Sequence, residues 1–247
     1  MTFNSYFFVL NIIAFTSCVS GRPISSGKNT EVIEYITQHY QPDAKDLSTP
    51  FWIFKDKAWF KDSMAIEEIR ELNIQEAANG KTTQEYIIRH YRFSDLRKRA
   101  VYEYISFSDT ATLIRKYSYS DSVQVIGGWG FNYIRHLNYQ GIVEKLPDTV
   151  IGDKDYKRTI ISRYVNDLPY TIICYFRCDK KGTIFNMDPT LSKTIGCPLV
   201  KLYWSSPIKK GLHMSTEVNF LSDTLTVEEI KVFTAWGNNA NDNPVIK

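Results

Sequence analysis

Apolar and polar residues alternate in short segments along most of the chain between residues 50 and 236. This period-two pattern is typical of strands that bury one face. Asp, Ser, Asn and Pro stand between the segments, where their short or rigid side chains favour turns. An aromatic residue followed by Ser and Asp recurs at Phe93-Ser94-Asp95, Phe107-Ser108-Asp109 and Tyr119-Ser120-Asp121. The arrangement of strand, short turn and strand predicts an antiparallel meander.

The strand candidates combine this alternation with aromatic and β-branched residues, and the chain holds 16 Tyr and 14 Phe. They are Arg99–Phe107, Ala111–Tyr119, Tyr156–Val165, Tyr170–Cys178, Leu199–Trp204 and Met214–Leu221. We expect Leu225–Ala235 to pair with the last of them as a C-terminal hairpin, followed by a flexible tail over residues 237–247. Phe54-Lys55-Asp56 and Phe60-Lys61-Asp62 share an aromatic-x-Asp form, which we interpret as further turns.

Two segments have helical spacing of apolar residues. Glu31–Tyr40 places Val32, Ile33, Ile36 and Tyr40 on one side, with Asn29 or Thr30 as N-cap, and predicts a short N-terminal helix. Ser63–Asn79 is locally helical as well, but its apolar residues also alternate as in a strand. We therefore expect a mainly β fold, with an antiparallel meander over residues 50–236 that forms a barrel, half-barrel or sandwich.

The N-terminus resembles an export signal. Tyr6–Phe15 is an apolar run, too short for the ~20 residues of a membrane-spanning helix but suited to a secretory signal. Met1–Ser5 lacks the usual positive charge. Phe15-Thr16-Ser17-Cys18 resembles a bacterial lipobox, which implies a signal segment over residues 1–18 and lipid attachment at Cys18. Cleavage near Gly21, or a buried N-terminal element of a cytosolic protein, are the alternatives.

The residues from 19 to 49 are predicted to form a tether followed by the short helix, because residues 19–30 are small and polar with Pro and Gly. This organisation predicts a protein of the cell envelope, lipid-anchored or periplasmic, with secretion as the alternative. The membrane is then a partner through the lipid on Cys18.

Three further cysteines lie at Cys174, Cys178 and Cys197. Cys174 and Cys178 are four apart in a predicted strand, about 13 Å along it, whereas a disulfide needs Cα atoms within about 7 Å. We therefore expect one bridge that includes Cys197 and one free, buried cysteine in an oxidising compartment. Three reduced core cysteines, or a zinc site, are the alternatives.

Composition and motifs favour a protein without catalytic machinery. The net charge is only +3, so we expect no nucleic-acid partner. His39, His90, His136 and His213 are isolated, which predicts no metal site, and no cofactor motif is present. Gly127–Phe131 is glycine-rich but precedes a strand-like segment, so we expect a bend, with Trp129 as a candidate ligand contact. The acidic pairs Glu67-Glu68, Asp153/Asp155 and Glu228-Glu229 are the candidates for glycoside chemistry.

The lipobox-like start followed by an aromatic-rich meander resembles the uncharacterised small lipoproteins of bacterial envelopes, and also the lipoprotein-carrier half-barrels. The resemblance implies an envelope binding or scaffold module, whose partner is an apolar small molecule or another envelope protein. An envelope hydrolase with clustered carboxylates, or a structural or adhesive subunit with an open strand edge, are the alternative functions.

Overall fold

The computed structural model describes residues 29–40, 50, 52–76, 82–95, 97–118, 142–165, 168–205 and 213–245. The strands are β1 (Thr30–Tyr40), β2 (Trp52–Lys61), β3 (Met64–Glu76), β4 (Thr82–Asp95), β5 (Ala100–Tyr104), β6 (Leu113–Ser118), β7 (Ile142–Ile151), β8 (Lys154–Val165), β9 (Leu168–Phe176), β10 (Leu199–Ser205) and β11 (His213–Ser222). The helices are α1 (Pro189–Ile195) and α2 (Val227–Asp242), and a short 3-10 helix spans Cys178–Lys180.

All eleven described strands lie in one sheet, in the order β6-β5-β4-β3-β2-β1-β11-β10-β9-β8-β7. Every pairing is antiparallel, and two meanders, β1 to β6 and β7 to β11, join through the β1–β11 pair. The predicted antiparallel meander is therefore confirmed. Strands β6 and β7 are the two edges of the described sheet, so this sheet is not closed into a barrel. Among the described residues, none of the helices is long and apolar enough to cross a bilayer.

The predicted N-terminal helix over Glu31–Tyr40 is wrong, because this segment is strand β1 at the centre of the sheet. A central strand covered on both faces needs apolar residues on both faces. Val32 packs towards α2, whereas its neighbour Ile33 packs on the other face against Phe185. Adjacent apolar residues of this kind imitate helical spacing in a short window. The ambiguous segment from residue 63 to 79 likewise forms a strand, β3.

The predicted C-terminal hairpin strand and flexible tail are also wrong, since Val227–Asp242 is helix α2. Thr226 and Glu229 form a capping box, in which each side chain accepts a hydrogen bond from the other residue's backbone N–H. The helix buries Val232, Phe233, Trp236 and Ala240, whose spacing follows one helical face. The folded part of the described chain therefore includes β1 and extends beyond residue 236.

The two faces of the sheet are covered by different segments. Helix α2 packs on a cross-strand row of β1 to β5 formed by Val32, Trp59, Ile66, Phe93 and Tyr102, which are successive partners in register. The segment 183–197, with α1, covers the opposite face over β8 to β11 and β1 to β3. Trp236 stacks on Tyr104 with ring centroids 4.1 Å apart. Much of the aromatic content is thus used in a packed core.

The predicted turns at Asp62 and Asp95 are present. Asp95 ends β4, and its carboxylate accepts hydrogen bonds from the backbone N–H groups of Arg97 and Lys98. Asp62 lies in the two-residue turn between β2 and β3 with φ of 56°, a conformation that Asp tolerates better than most residues. Asp56, in contrast, lies within β2 rather than in the turn expected from its motif. The triplet Tyr119-Ser120-Asp121 lies outside the described residues.

Candidate functional site

Strands β2 and β3 pair only near their shared turn. The register joins Ala58–Lys61 to Met64–Glu67. Beyond these residues β2 keeps β1 as its partner, and β3 keeps β4. Side chains fill the gap that opens, and the backbone N–H of Lys57 donates to Glu68 Oε2 at 3.3 Å. We call this gap the β2–β3 cleft and define it by Tyr35, Phe54, Asp56, Glu68, Arg70 and Tyr86.

The cleft has an aromatic end. Trp52, Phe54 and Asp56 alternate along β2 and share one face, so the row is about 14 Å long. The Phe54 ring lies 4.6 Å from the Tyr86 ring and 6.2 Å from Trp52, both edge to face, which is a favourable aromatic geometry. The rings of this end of the cleft therefore pack on one another, and Trp52 remains 39% exposed.

Asp56 is the unusual charged group of the cleft. Its Oδ1 lies 3.8 Å from Nε of Arg70, whereas Arg70 donates two closer hydrogen bonds to Glu68 Oε2, at 2.6 and 3.1 Å. Burial raises the pKa of Asp56 to about 6. The positive charge of Arg70 lowers this pKa, whereas the negative charge of Glu68 raises it further. No described residue donates a hydrogen bond to this carboxyl. Ionised Asp56 is therefore held at a cost to folding, which is typical of functional groups.

Tyr35 lies beside Asp56 at the cleft. It lies directly opposite Asp56 in the β1–β2 register, and its side chain keeps an intermediate share of accessible surface. Burial nevertheless raises the pKa of Tyr35 to about 12, although hydrogen bonds with Thr216 and Thr37 act in the opposite direction. Asp56, 17% exposed at its side chain, is likewise mostly removed from water.

A second charged cluster lies on β4 to β6 around Glu103, whose side chain is 2% exposed. Glu103 accepts two hydrogen bonds from Arg115 and one from the Tyr117 hydroxyl, and Nε of Arg92 lies 3.6 Å away. Burial acts to raise the pKa of Glu103, but these hydrogen bonds outweigh it and the pKa lies below its usual value. Because its carboxylate is fully satisfied, we interpret this cluster as a structural link between strands.

The described histidines lie apart from one another. His90 Nε2 is 3.3 Å from Glu103, and burial holds the pKa of His90 below its usual value, although Glu103 opposes this. His213 Nδ1 lies 3.2 Å from the Tyr203 hydroxyl, and His39 packs 5.2 Å from the Phe54 ring. His136 lies outside the described residues. Within the described ranges, no three His, Cys, Asp or Glu side chains are placed to hold a metal ion.

The acidic pairs named from the sequence do not act as pairs. Glu67 and Glu68 are consecutive in β3, so they point to opposite faces. Glu229 caps α2 and accepts from Trp59 Nε1, and Asp153 and Asp155 are exposed in the β7–β8 hairpin. The carboxylate that lies near Glu68, across Arg70, is that of Asp56, which its sequence motif placed in a turn. Its signal was a charged residue within the otherwise apolar alternation of Trp52, Phe54, Ala58 and Phe60.

The cysteines join the end of β9 to the loop after α1. Cys178 and Cys197 form a disulfide with a Cα–Cα distance of 4.6 Å, and Cys174 is free and buried beside them in the same apolar cluster. Burial raises the pKa of the Cys174 thiol to about 12, so it is a poor nucleophile. The sequence left open which cysteine pairs with Cys197. Cys18 and Trp129, the other candidate site residues, lie outside the described residues.

No protein-family model matches the chain, and a search of curated proteins finds no similar sequence.

Proposed function

We propose that this is an exported envelope protein, lipid-anchored through Cys18, that acts as a non-catalytic binding module and holds an apolar ligand in the β2–β3 cleft. The observation that carries the proposal is the separation of β2 from β3. Their pairing ends beyond Ala58 and Glu67, and Asp56 and Phe54, two residues apart on one face of β2, lie where it ends, with the Tyr86 ring 4.6 Å from the Phe54 ring. Binding sites are usually concave and mostly apolar with a few polar groups, which such a separation of strands can provide.

We further propose that the sheet curves as a half-barrel rather than packing as a sandwich. The separation of β2 from β3, while each strand keeps its other neighbour, supports a curved sheet.

A mass-spectrometric experiment tests this proposal. The mature protein is purified from the membranes of its source organism under mild conditions, and its intact mass and its co-purifying small molecules are measured. We expect a chain that begins at Cys18 with added acyl mass, and a bound apolar molecule in a stoichiometric amount. A full-length unmodified chain would overturn the proposed export and lipid anchor. A protein that releases no small molecule and takes up no apolar probe would overturn the proposed binding function.

One observation favours a second candidate, a hydrolase acting on saccharides. Since Arg70 Nε lies 3.8 Å from Asp56 Oδ1 and 3.1 Å from Glu68 Oε2, these two oxygens are no more than about 7 Å apart, a limit that includes the separation of about 5–5.5 Å found in retaining glycosidases. Asp56, with its raised pKa, would be the general acid. This candidate predicts turnover of chromogenic glycosides that Asp56→Asn abolishes. Arg70, which contacts both carboxylates, occupies the space a reacting water or sugar would need, so we favour binding.

A further inference from the structure

The N-terminal part of the chain enters the described fold at one end of the sheet. Strand β1 begins at Thr30, whose side-chain hydroxyl donates to the backbone oxygen of Asp223, in the loop between β11 and α2, at 2.8 Å. Cys18, the proposed anchor, precedes Thr30 by twelve residues, which span at most about 43 Å when fully extended. An anchor at Cys18 therefore holds the surface around Thr30 close to the bilayer.

Three large apolar side chains are exposed near this entry point. Leu221 lies at the end of β11 and is 53% exposed, Val227 begins α2 and is 64% exposed, and Ile230, three residues further along the helix, is 41% exposed. Val227 lies on the side of α2 opposite to its buried face. Single exposed apolar residues are common on proteins, but a group of them in one place indicates a contact surface.

A cavity of about 390 Å³ lies between the end of β11 and the first turn of α2. Val32, Leu221 and Leu225 give it an apolar lining, and Lys57 lies at its side. Val32 is buried and Leu225 is half-buried, so the apolar surface of the core continues through the cavity to the exposed residues. We call this surface the entry corner and define it by Val32, Leu221, Leu225, Val227 and Ile230.

A basic turn lies at the same end of the sheet. Register partners run across β1 to β5 from Thr30 through Lys61, Met64 and Asp95 to Ala100, which places the β4–β5 turn about 19 Å from Thr30. Three consecutive residues of this turn, 97–99, are basic and exposed, and such residues are attracted to anionic headgroups. The entry corner has no positive excess of its own, because its lysines are matched by acidic residues: Lys57, Lys61 and Lys231 against Asp62, Asp223, Glu228 and Glu229.

The size of the entry corner suits a lipid surface better than a protein partner. A stable protein interface buries about 800 Å² on each partner, far more than three exposed side chains can supply. A tethered protein needs only a weak second contact, because the tether raises its effective concentration at the membrane.

We propose that the entry corner inserts its exposed apolar side chains into the interfacial region of an anionic bilayer, with the basic turn 97–99 against the headgroups. The membrane-bound protein is then oriented with the N-terminal end of its sheet towards the lipid. This inference rests on the proposed function, because it takes the chain to be attached through Cys18.

Hydroxyl-radical footprinting tests this orientation, since the radical oxidises aliphatic side chains in proportion to their contact with water. The full chain is coupled through Cys18 to a maleimide lipid in vesicles of phosphatidylcholine with about one-third phosphatidylglycerol, and is compared with the uncoupled chain in solution. The other cysteines do not compete, because Cys178 and Cys197 are bonded and burial raises the pKa of Cys174 to about 12.

We expect oxidation of Leu221, Val227 and Ile230 to fall at least about threefold on the vesicles. Ile53 and Ile87 are exposed aliphatic residues about 26 Å from this end of the sheet along β2 and β4, and their oxidation should not change. Protection of the entry corner should be weaker on vesicles of phosphatidylcholine alone, which do not attract the basic turn.

Two matched variants assign the protection to the entry corner. Leu221→Asn with Val227→Asn removes the apolar contact, so Ile230 should be oxidised at its solution rate on the vesicles. Ile53→Asn with Ile87→Asn makes the same change at the other end and should leave Ile230 protected. Circular dichroism confirms that both variants fold.

Three results would overturn this orientation. They are equal protection at both ends of the sheet, no protection at either end, and protection of the entry corner that rises with protein concentration in the absence of vesicles, which would identify a second copy of the chain as the partner. Because the lipid is attached chemically, these results are independent of the mass measurement that tests the natural anchor and of the apolar probes that test the β2–β3 cleft.

Discussion

Replacing Asp56 by Asn should stabilise the protein at neutral pH, because the carboxylate is held where ionisation is unfavourable. The pKa of Asp56 is raised from 3.8 to about 6 in the folded chain. A shift of this size corresponds to roughly 3 kcal/mol, at about 1.4 kcal/mol for each pKa unit. Since the folded-state pKa lies above the unfolded one, the protonated carboxyl contributes fully below pH 3.8 and its contribution is lost as the pH rises through 6.

Asn resembles the protonated carboxyl in shape and does not titrate. The free energy of unfolding of Asp56→Asn should therefore equal that of the wild type near pH 4 and exceed it by up to about 3 kcal/mol at pH 8. Urea denaturation at both pH values measures this, and the difference between the two proteins cancels the titration of every other group. Asp153→Asn, in an exposed hairpin, is the control and should show no such change with pH.

Two results would refute this reasoning about Asp56. An equal effect of Asp56→Asn at pH 4 and pH 8 would show that ionisation in the folded state is not penalised. A variant less stable than the wild type at pH 8 would show that the ionised carboxylate is well paired.

Two further predictions concern the rest of the fold. Glu103→Ala should lower the free energy of unfolding by about 3–5 kcal/mol in urea denaturation, because it leaves the Arg92 guanidinium, 4% exposed, without its counter-charge. Arg115→Ala removes a side chain that is 60% exposed and should lower the free energy of unfolding by less. Equal losses in the two variants would contradict the structural role of Glu103. Replacing Cys178 and Cys197 together by Ala should lower the free energy of unfolding by about 3 kcal/mol, because the bridge closes a loop with a sequence separation of 19 and so restricts the unfolded chain. An unchanged melting temperature would show that the bridge does not stabilise the fold.

The elements that sequence patterns predicted well are those whose two faces differ. Alternation identified β5, β6 and β8 to β11, and the Ser-Asp turn after Phe93 acts as expected through Asp95. The pattern failed for β1, which buries residues on both faces, and for α2, whose β-branched start resembles a strand. The capping box of Thr226 and Glu229 was the available signal for the helix.

The cleft could not be predicted in the same way. Asp56 belongs to an apolar alternation, and its sequence motif resembles a turn. Its chemistry depends on Glu68 and Arg70, which lie beyond the point where β3 leaves β2. That point of separation has no local sequence signal that we recognise, so neither the cleft nor the raised pKa of Asp56 was accessible before the structure.

The sequence by itself determined that this chain forms an antiparallel sheet with short turns, because the period of apolar residues and the chemistry of Asp and Ser act over a few neighbouring residues. Only the tertiary structure decided that β1 lies at the centre, that Cys178 rather than Cys174 pairs with Cys197, and that Asp56 lies beside Arg70 and opposite Tyr35. These results depend on which distant segments approach one another, since desolvation and charge pairing are set by neighbours in space.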